Sequence, residues 1–342
     1  HAANTSTAPA SNEKIFTSIA ALNLLGPTFR YRTTVGGTAP VTNGVLNGDL
    51  VLRATGDPTL TMNNLLRLAQ KLHAKGLRQV TGRLWIDDRR YSRTTRVTGW
   101  KHSFVPDESG TVDAFSVDQN EWRRGAAFEA DPTHANAAIW RKELKRAHIQ
   151  VDGGTLIRHS PRTVLPLATH KSASLIAILD AMNHQSINFY AEMILRELGV
   201  KESSIGTPSA GVAAVKGVAT KLGLPFGTAY DGSGLSYSDR QTPATIVKWL
   251  ETQAPGSEFY YSLPLSCASG TLQYRLCGKN VAGRVRAKTG TINHVSTLSG
   301  YFETLSGHWV MFSVLVSGFP DSRYQRIYNH VDAAVGAALK HG

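Results

Sequence analysis

Cysteine is scarce: only Cys267 and Cys277 occur in 342 residues. Two thiols cannot build a cysteine-rich zinc site, so that class is excluded. Their closeness within a Gly- and Ser-containing segment leaves two readings: a small-loop disulfide of an oxidising compartment, or two buried free thiols. Long apolar runs are missing as well. The longest, "WVMFSVLV" at 309–316, is far too short to span a bilayer. No signal peptide is visible, and the polar opening "HAANTSTAPAS" reads as a processed or trimmed chain. Acidic residues are few beside basic ones, 25 against 37, giving a net charge of +12. That balance favours anionic surroundings, such as nucleic acid, a membrane surface or an anionic cell envelope. Recognition-helix patterns, zinc-finger spacing and aromatic–basic interleaving are all lacking, so nucleic acid is not expected. The local cluster "DDRRYSRTTR" (87–96) reads as a solvated loop. Internal repeats and low-complexity blocks are absent too.

What is present suffices for one large domain or two modest ones. Ile15, Phe16, Ile19 and Leu22 recur at helical spacing until Gly26 and Pro27 stop the pattern. From Phe29 the texture changes. "FRYRTTV", "GVLNGDLVLRAT" and "QVTGRLWIDD" read as short strands, with "TMNNLLRLAQKLHAKG" as a helix between them. Residues 97–133 are irregular. Helices are expected in "THANAAIWRKELKRAHI", "SASLIAILDAMN", "INFYAEMILRELG" closed by Gly199, and "GTPSAGVAAVKGVATKLG", with a strand at "GGTLIRH". The C-terminal part reads as three strands, "GRVRAKTG", "STLSGYFET" and "HWVMFSVLVSGF", then a helix over 323–340. Successive hairpins with helices on both sides predict an antiparallel sheet flanked by helices.

Three short patterns carry chemistry: Ser-x-x-Lys at Ser11 and Lys14, Ser-x-Asn at Ser186 and Asn188, and Lys-Thr-Gly at Lys288, Thr289 and Gly290. Taken singly each has a bland reading. Ser11 and Ser186 are plain helix caps, Lys14 is solvated, Asn188 bonds local backbone, and Lys-Thr-Gly approaches a hairpin. Taken together they supply what acyl transfer needs. A serine hydroxyl is a poor nucleophile without a base, and a lysine three residues on lies on the same helical face. Burial and a second cation would lower that lysine's pKa. A helix start offers a backbone N–H to a developing oxyanion. Lys288, at a strand end, and Thr289 suit a substrate carboxylate.

The set resembles the penicillin-recognising serine enzymes. The flanks "PASNEKIFTSIAALNLLGPTFRYRTTV", "GDLVLRATGDPTLT", "SINFYAEMILRELG", "DGSGLSYSDRQTPATIV" and "RAKTGTINHVSTLSGYF" are similar to the D-alanyl-D-alanine carboxypeptidase/endopeptidase family, the class C, type-4 penicillin-binding proteins. This resemblance runs over almost the whole chain. It implies Ser11 as the acylated nucleophile, Lys14 as its base and Ser186 as proton relay to the leaving D-amino acid. Asn188 would bond the substrate amide, Lys288 and Thr289 the terminal carboxylate, and the Ser11 and Thr291 N–H groups the oxyanion. Gly290 completes the motif, and "DGSGLS" (231–236) would be a structural loop. In the family, strands precede the Ser-x-x-Lys helix, whereas ten residues precede Ser11 here. A longer third domain is replaced by "NEWRRGAAFEADPTHAN". A tryptophan–acidic segment borders the side-chain pocket, with Trp100 and Asp107 as its equivalents.

The expectation is therefore an α+β penicillin-recognising fold. Residues 1–28 and 173–342 would form the catalytic domain and 29–172 an inserted α+β domain, with the third domain reduced or absent. The implied activity is an exported serine DD-peptidase of the cell envelope. It would act on peptidoglycan stem peptides, be acylated by β-lactams, and use no cofactor and no metal. No nucleic-acid partner or integral membrane segment is implied, and an inhibitor protein is not identifiable from the sequence. A β-lactamase of the same fold and a non-catalytic binding module are the rivals.

Overall fold

The computed structural model describes residues 2–92, 97–121, 132–160 and 163–341. The first long helix, α1 (Glu13–Leu25), follows a single 3-10 turn, Ala10–Asn12. Its side chains are buried through Ala21, and its chain leaves at Gly26.

The strands beyond it are short. β1 (Arg32–Gly37), β2 (Val41–Thr42), β3 (Val45–Leu46) and β4 (Leu50–Arg53) precede helix α2 (Met62–Ala74). A reciprocal cap starts α2: the Asn64 N–H donates to Thr61 Oγ1 at 3.2 Å, and the Thr61 N–H to Asn64 Oδ1 at 3.0 Å. Its apolar positions Leu65, Leu68, Ala69 and Leu72 face one core. Then come β5 (Gln79–Val80), β6 (Leu84–Asp87), helix α3 (Pro132–Arg146), β7 (Gln150–Val151), β8 (Thr155–Ile157) and β9 (Leu165–Lys171). They make a five-stranded sheet in the order β8-β6-β4-β1-β9 and a four-stranded one, β2-β3-β5-β7. β9 was not expected from the sequence. Its register against β1 skips Leu167 beside Pro166, and an edge strand with a bulge tolerates proline.

The longer remaining elements are α4 (Leu175–Gln185), α5 (Asn188–Glu202), α6 (Pro208–Leu222), α7 (Pro243–Leu250), strands β10 (Val285–Ile292), β11 (Val295–Glu303) and β12 (Trp309–Ser317), and α8 (Tyr324–His341). β10, β11 and β12 form an antiparallel sheet with β11 in the centre. Val331, Val335 and Leu339 of α8 share one core with Leu298 and Phe302 of β11. Tyr301 belongs to another core with α1 and α7, and its hydroxyl donates to the Leu250 carbonyl at 2.9 Å. Gly199 does not close α5, which runs on to Glu202. A Cβ there would lie 2.8 Å from the Gly211 nitrogen of α6, so this glycine serves close helix packing and not termination.

Two large cores are distinct. One draws on 15–31 and 175–301, the other on 35–168. The chain departs along β1 and returns along its antiparallel neighbour β9. At that crossing the Tyr31 N–H donates to Ser172 Oγ at 2.9 Å. A bidentate ion pair also ties the two regions: Arg90 reaches Glu197 of α5 at 2.6 and 2.8 Å. Residues 122–131 of the stretch expected to replace a third domain lie outside the described residues. No helix among the described residues is long and apolar enough to cross a membrane.

Candidate active site

The 3-10 turn places Ser11 against the start of α1, one turn ahead of Lys14. Lys14 is wholly buried. Its Nζ lies 2.9 Å from Ser11 Oγ, 2.7 Å from Asn188 Oδ1 and 2.7 Å from the Ser233 carbonyl oxygen. Two of these three partners can only accept. A neutral amine has two N–H bonds, which Asn188 and Ser233 take up, so its lone pair is left for the one partner that carries a proton, Ser11. Burial pushes the Lys14 pKa down to about 7, while Asp231, Glu192, Glu108 and Glu13 pull it back up. Of the two causes expected from the sequence, burial and a second cation, burial is the one that lowers it.

Ser186 ends α4 in the left-handed region at φ 58°. Ile187 occupies the N-cap position of α5 and makes no side-chain cap bond, so Ser186 is not that helix's cap. The turn brings its hydroxyl to Lys288, whose Nζ donates at 2.8 Å to Ser186 Oγ and at 2.8 Å to the Thr289 carbonyl. Burial first, and then the charge of Lys14, pushes the Lys288 pKa well down. Asn188 Nδ2 donates to the Glu108 carbonyl at 3.0 Å, so both ends of its amide are engaged. Thr289 Oγ1 donates to Thr271 Oγ1 at 2.7 Å, and Thr291 Oγ1 lies 2.8 Å from the Tyr328 hydroxyl.

β10 runs hard against the Ser11 turn. A Cβ on Gly290 would sit 2.8 Å from the Ser11 nitrogen, and Thr297 Oγ1 of β11 donates to the Pro9 carbonyl at 3.0 Å. The cleft between them has a volume of about 320 Å³ and opens on Ser11, Ser186, Asn188 and Thr289–Ile292. Across it stand Phe104, Glu108 and Tyr237. A larger groove of about 790 Å³ lies by Arg141 and Lys145 and holds none of the motif residues.

Of the irregular segment, Phe104 and Glu108 line the cleft; Trp100 and Asp107 do not. The Trp100 indole N–H instead donates to Asp231 Oδ2 at 2.7 Å. Asp231 also accepts from the N–H groups of Gly234 and Ser236, at 2.7 and 2.8 Å, which folds "DGSGLS" into a tight loop under Lys14. Sequence reasoning missed Glu108, Ser233 and Tyr237 as parts of the site. An Asp beside small residues signals a turn, but not where its carbonyls point. Cys267 and Cys277 are joined by a disulfide, with their Cα atoms 4.8 Å apart. The bridged loop is pinned to β10 by the Ser266 N–H, which donates to the Val285 carbonyl at 2.8 Å. Among the described residues no group of three or more His, Cys, Asp or Glu could hold a metal ion.

The profile of the D-Ala-D-Ala carboxypeptidase 3 (S13) family matches residues 1–122 and 118–337. A D-alanyl-D-alanine carboxypeptidase of Haemophilus influenzae is 26% identical over 386 residues, covering 91% of this chain and 80% of its own length. The D-alanyl-D-alanine carboxypeptidase of an Actinomadura species is 29% identical, over 91% of this chain and 73% of its own. Among solved structures, penicillin-binding protein 4 of Haemophilus influenzae superposes with a TM-score of 0.90 at 23% identity, covering 100% of this chain and 93% of that one. The likeness establishes the penicillin-recognising fold.

Proposed function

Because the chain belongs to the D-Ala-D-Ala carboxypeptidase 3 (S13) family, we propose that it is a serine DD-peptidase with Ser11 as nucleophile and Lys14 as general base. The observation that carries this assignment is the amine of Lys14, whose two acceptor-only partners leave its lone pair to the Ser11 hydroxyl. In the first half-reaction Lys14 takes the hydroxyl proton, and Ser11 Oγ bonds to the carbonyl carbon of the penultimate D-alanine. The N–H groups of Ser11 and Thr291 face the oxyanion. Collapse breaks the C–N bond, and the leaving amine takes the proton that Lys14 holds, relayed through Ser186, which Lys288 holds in place. Water then attacks the acyl-serine and gives a proton to Lys14, which passes it to Ser11 Oγ as the ester C–O bond breaks. Lys288 and Thr289 receive the terminal carboxylate. Asn188 orients Lys14 as well as the substrate amide, since its oxygen already holds the amine.

The substrate is the stem peptide of peptidoglycan, which places the enzyme outside the cytoplasmic membrane, and β-lactams acylate the same serine. Residues 1–28 and 173–342 form the catalytic domain and 29–172 an insert; the two separate cores support this division except at its edge, where Phe29 and Tyr31 pack in the first core. The family match falls in two pieces meeting at 118–122, beside the stretch read as a shortened insert. That supports an enzyme without the third domain, and a lower rim would admit a DD-cross-linked dimer as well as a terminal D-alanine. Fluorescent penicillin followed by peptide mass spectrometry tests the assignment. Stable labelling on the Ser11 peptide, lost in Ser11→Ala, is expected. Rapid turnover would make the protein a β-lactamase, and no reaction would make it a binding module. Digestion of cross-linked peptidoglycan tests the wider specificity: dimers that persist while pentapeptides are trimmed would restrict the enzyme to carboxypeptidase action.

A further inference from the structure

Apart from Asn188 and the Ser233 carbonyl, two stretches have no part in the chemistry described so far, the helix run "NFYAEMILREL" and the loop "DGSGLS". They meet behind Lys14. Glu192, inside α5, is fully buried, with Arg196 one turn on. Its Oε2 lies 3.1 Å from Arg196 Nη1. Its Oε1 accepts the backbone N–H groups of both Gly232 and Ser233, each at 3.0 Å. Every one of these contacts is a donor, and the donors favour the anion, while burial first and then the charge of Asp231 push the carboxyl's pKa up against them. The same Ser233 offers its carbonyl to Lys14 at 2.7 Å. The Gly232 carbonyl is taken by Thr17 Oγ1 at 2.9 Å, and the Gly234 N–H by Asp231. The backbone of 232–234 is thus gripped from α1, from α5 and from within the loop.

We propose that Glu192 is a positioning residue for the general base: it holds the Ser233 carbonyl on Lys14 and sets a negative charge behind the amine. The proposal rests on Lys14 being that base. A buried ion pair contributes little net stability compared with well-packed apolar residues, so the fold alone gives Glu192 and Arg196 little reason to be charged. Their geometry gives one. With Ser233 fixed, one N–H of the amine is committed and its lone pair stays on Ser11; with Ser233 loose, the amine can rotate away. The charge has a separate effect. The groups facing Lys14 are Glu13 on its own helix, Glu192 on α5, Asp231 in the loop, Glu108 across the cleft and Lys288 on β10, with Asp239 behind Asp231. Burial drives the amine toward its neutral form, and Glu192 opposes that. Removing its charge should therefore let the amine become free base at lower pH.

The test is the rate of Ser11 acylation by fluorescent penicillin over pH 5–9. It is measured on the whole chain as wild type, Glu192→Gln and Glu192→Asp. In Glu192→Gln the rising limb should move down by about one pH unit, the effect of one charge a few hydrogen bonds away at an effective dielectric near 20. Its plateau should also fall. Glu192→Asp keeps the charge on a shorter arm, so its limb should stay while its plateau falls. A role in folding alone would lower both plateaus and move neither limb; an unmoved limb in Glu192→Gln overturns the proposal. Should Glu192→Gln not fold, Glu192→Asp decides on the plateau per folded molecule, with the folded fraction taken from circular dichroism: a fixed limb with a lowered plateau per folded molecule supports the proposal, and a displaced limb or an unchanged plateau per folded molecule overturns it. A wild type that is not acylated at Ser11 defeats the peptidase reading itself. An acylated wild type with no shift in Glu192→Gln defeats only the role of Glu192.

Discussion

Acidification from pH 9 to pH 5 should slow acylation of Ser11 about a hundredfold. Lys14 is buried and titrates at about 7 in place of 10.5, and only its free base can accept the serine proton. Nearly all of it is free base at pH 9, about half at pH 7 and about one part in a hundred at pH 5, so the limb has a slope of one. The same displacement has a stability side. At about 1.4 kcal/mol per pH unit it amounts to about 5 kcal/mol. Between about pH 7 and 10.5 the unfolded lysine holds a proton that the folded one has shed, so this group makes the fold more stable as pH rises. Below about 7 both forms are charged and the whole cost of burying the ammonium remains. From pH 6 to 9 the gain is about 2–3 kcal/mol. Lys14→Met should abolish acylation and lose that pH-dependent gain. Glu13 and Asp239 work in the opposite direction, because burial raises their pKa values. The quantity to measure is thus the difference between wild type and Lys14→Met in urea at pH 6 and pH 9. Stopped-flow labelling gives the rate. A rate flat from pH 5 to 9, a limb centred near 10, or a stability difference independent of pH would refute the buried, neutral base.

Lys288 sits without a carboxylate partner among the described residues and is pushed toward its neutral form by burial. A ligand carboxylate there should draw a proton, so substrate binding to Ser11→Ala in weak buffer should show proton uptake by a pH dye, absent with the ligand amidated at that carboxylate. Gly290→Ala would place a methyl 2.8 Å from the Ser11 nitrogen; acylation should fall at least tenfold while far-ultraviolet circular dichroism stays unchanged, and full activity would contradict the close approach. Opening the Cys267–Cys277 loop should cost about 2–3 kcal/mol in the chain-entropy model. Thiol counting of unreduced protein should find none, and dithiothreitol should lower the unfolding midpoint in urea; two titratable thiols in protein kept oxidised would rule the bridge out.

The parts of the site that were legible in the sequence are those whose chemistry is local. Ser11 and Lys14 share one helical turn, and Lys288, Thr289 and Gly290 share one strand, so spacing alone fixes how each set is presented. The strands and long helices follow from the same logic, because apolar periodicity reports which face is buried. What stayed hidden is what depends on distant backbone. Ser233 contributes a carbonyl that any residue type would supply, so its identity carries no signal. Ser186 matters through a left-handed φ at a helix end, where a serine looks like an ordinary cap for the next helix. Gly199 looks like a stop and is a contact surface, because sequence cannot say which helix lies across from it. β9, "LPLATHK", is too polar and begins too near a proline to look like a strand; pairing with β1 makes it one.

The same division explains why the carboxylates behind Lys14 escaped notice. On α5, Glu192 and Arg196 stand four residues apart, which in an exposed helix would be an ordinary surface pair worth a few tenths of a kcal/mol. Burial changes what the pair means, since the fold must satisfy every lone pair and proton it removes from water. Here the satisfaction runs through the backbone of a loop far away in sequence, and that loop ends on the amine of Lys14. A charge that is costly in the core and connected to the base by two hydrogen bonds is better explained by the reaction than by the fold. Exchanging Glu192 for Gln and Arg196 for Met together removes both charges but keeps an amide oxygen for the Gly232 and Ser233 N–H groups, so the urea midpoint should stay near that of wild type while the acylation limb moves to lower pH. Such a double variant separates the two roles more sharply than any single change, because neither charge is left stranded. A large loss of stability with the acylation limb unmoved in the folded fraction would return the pair to the fold.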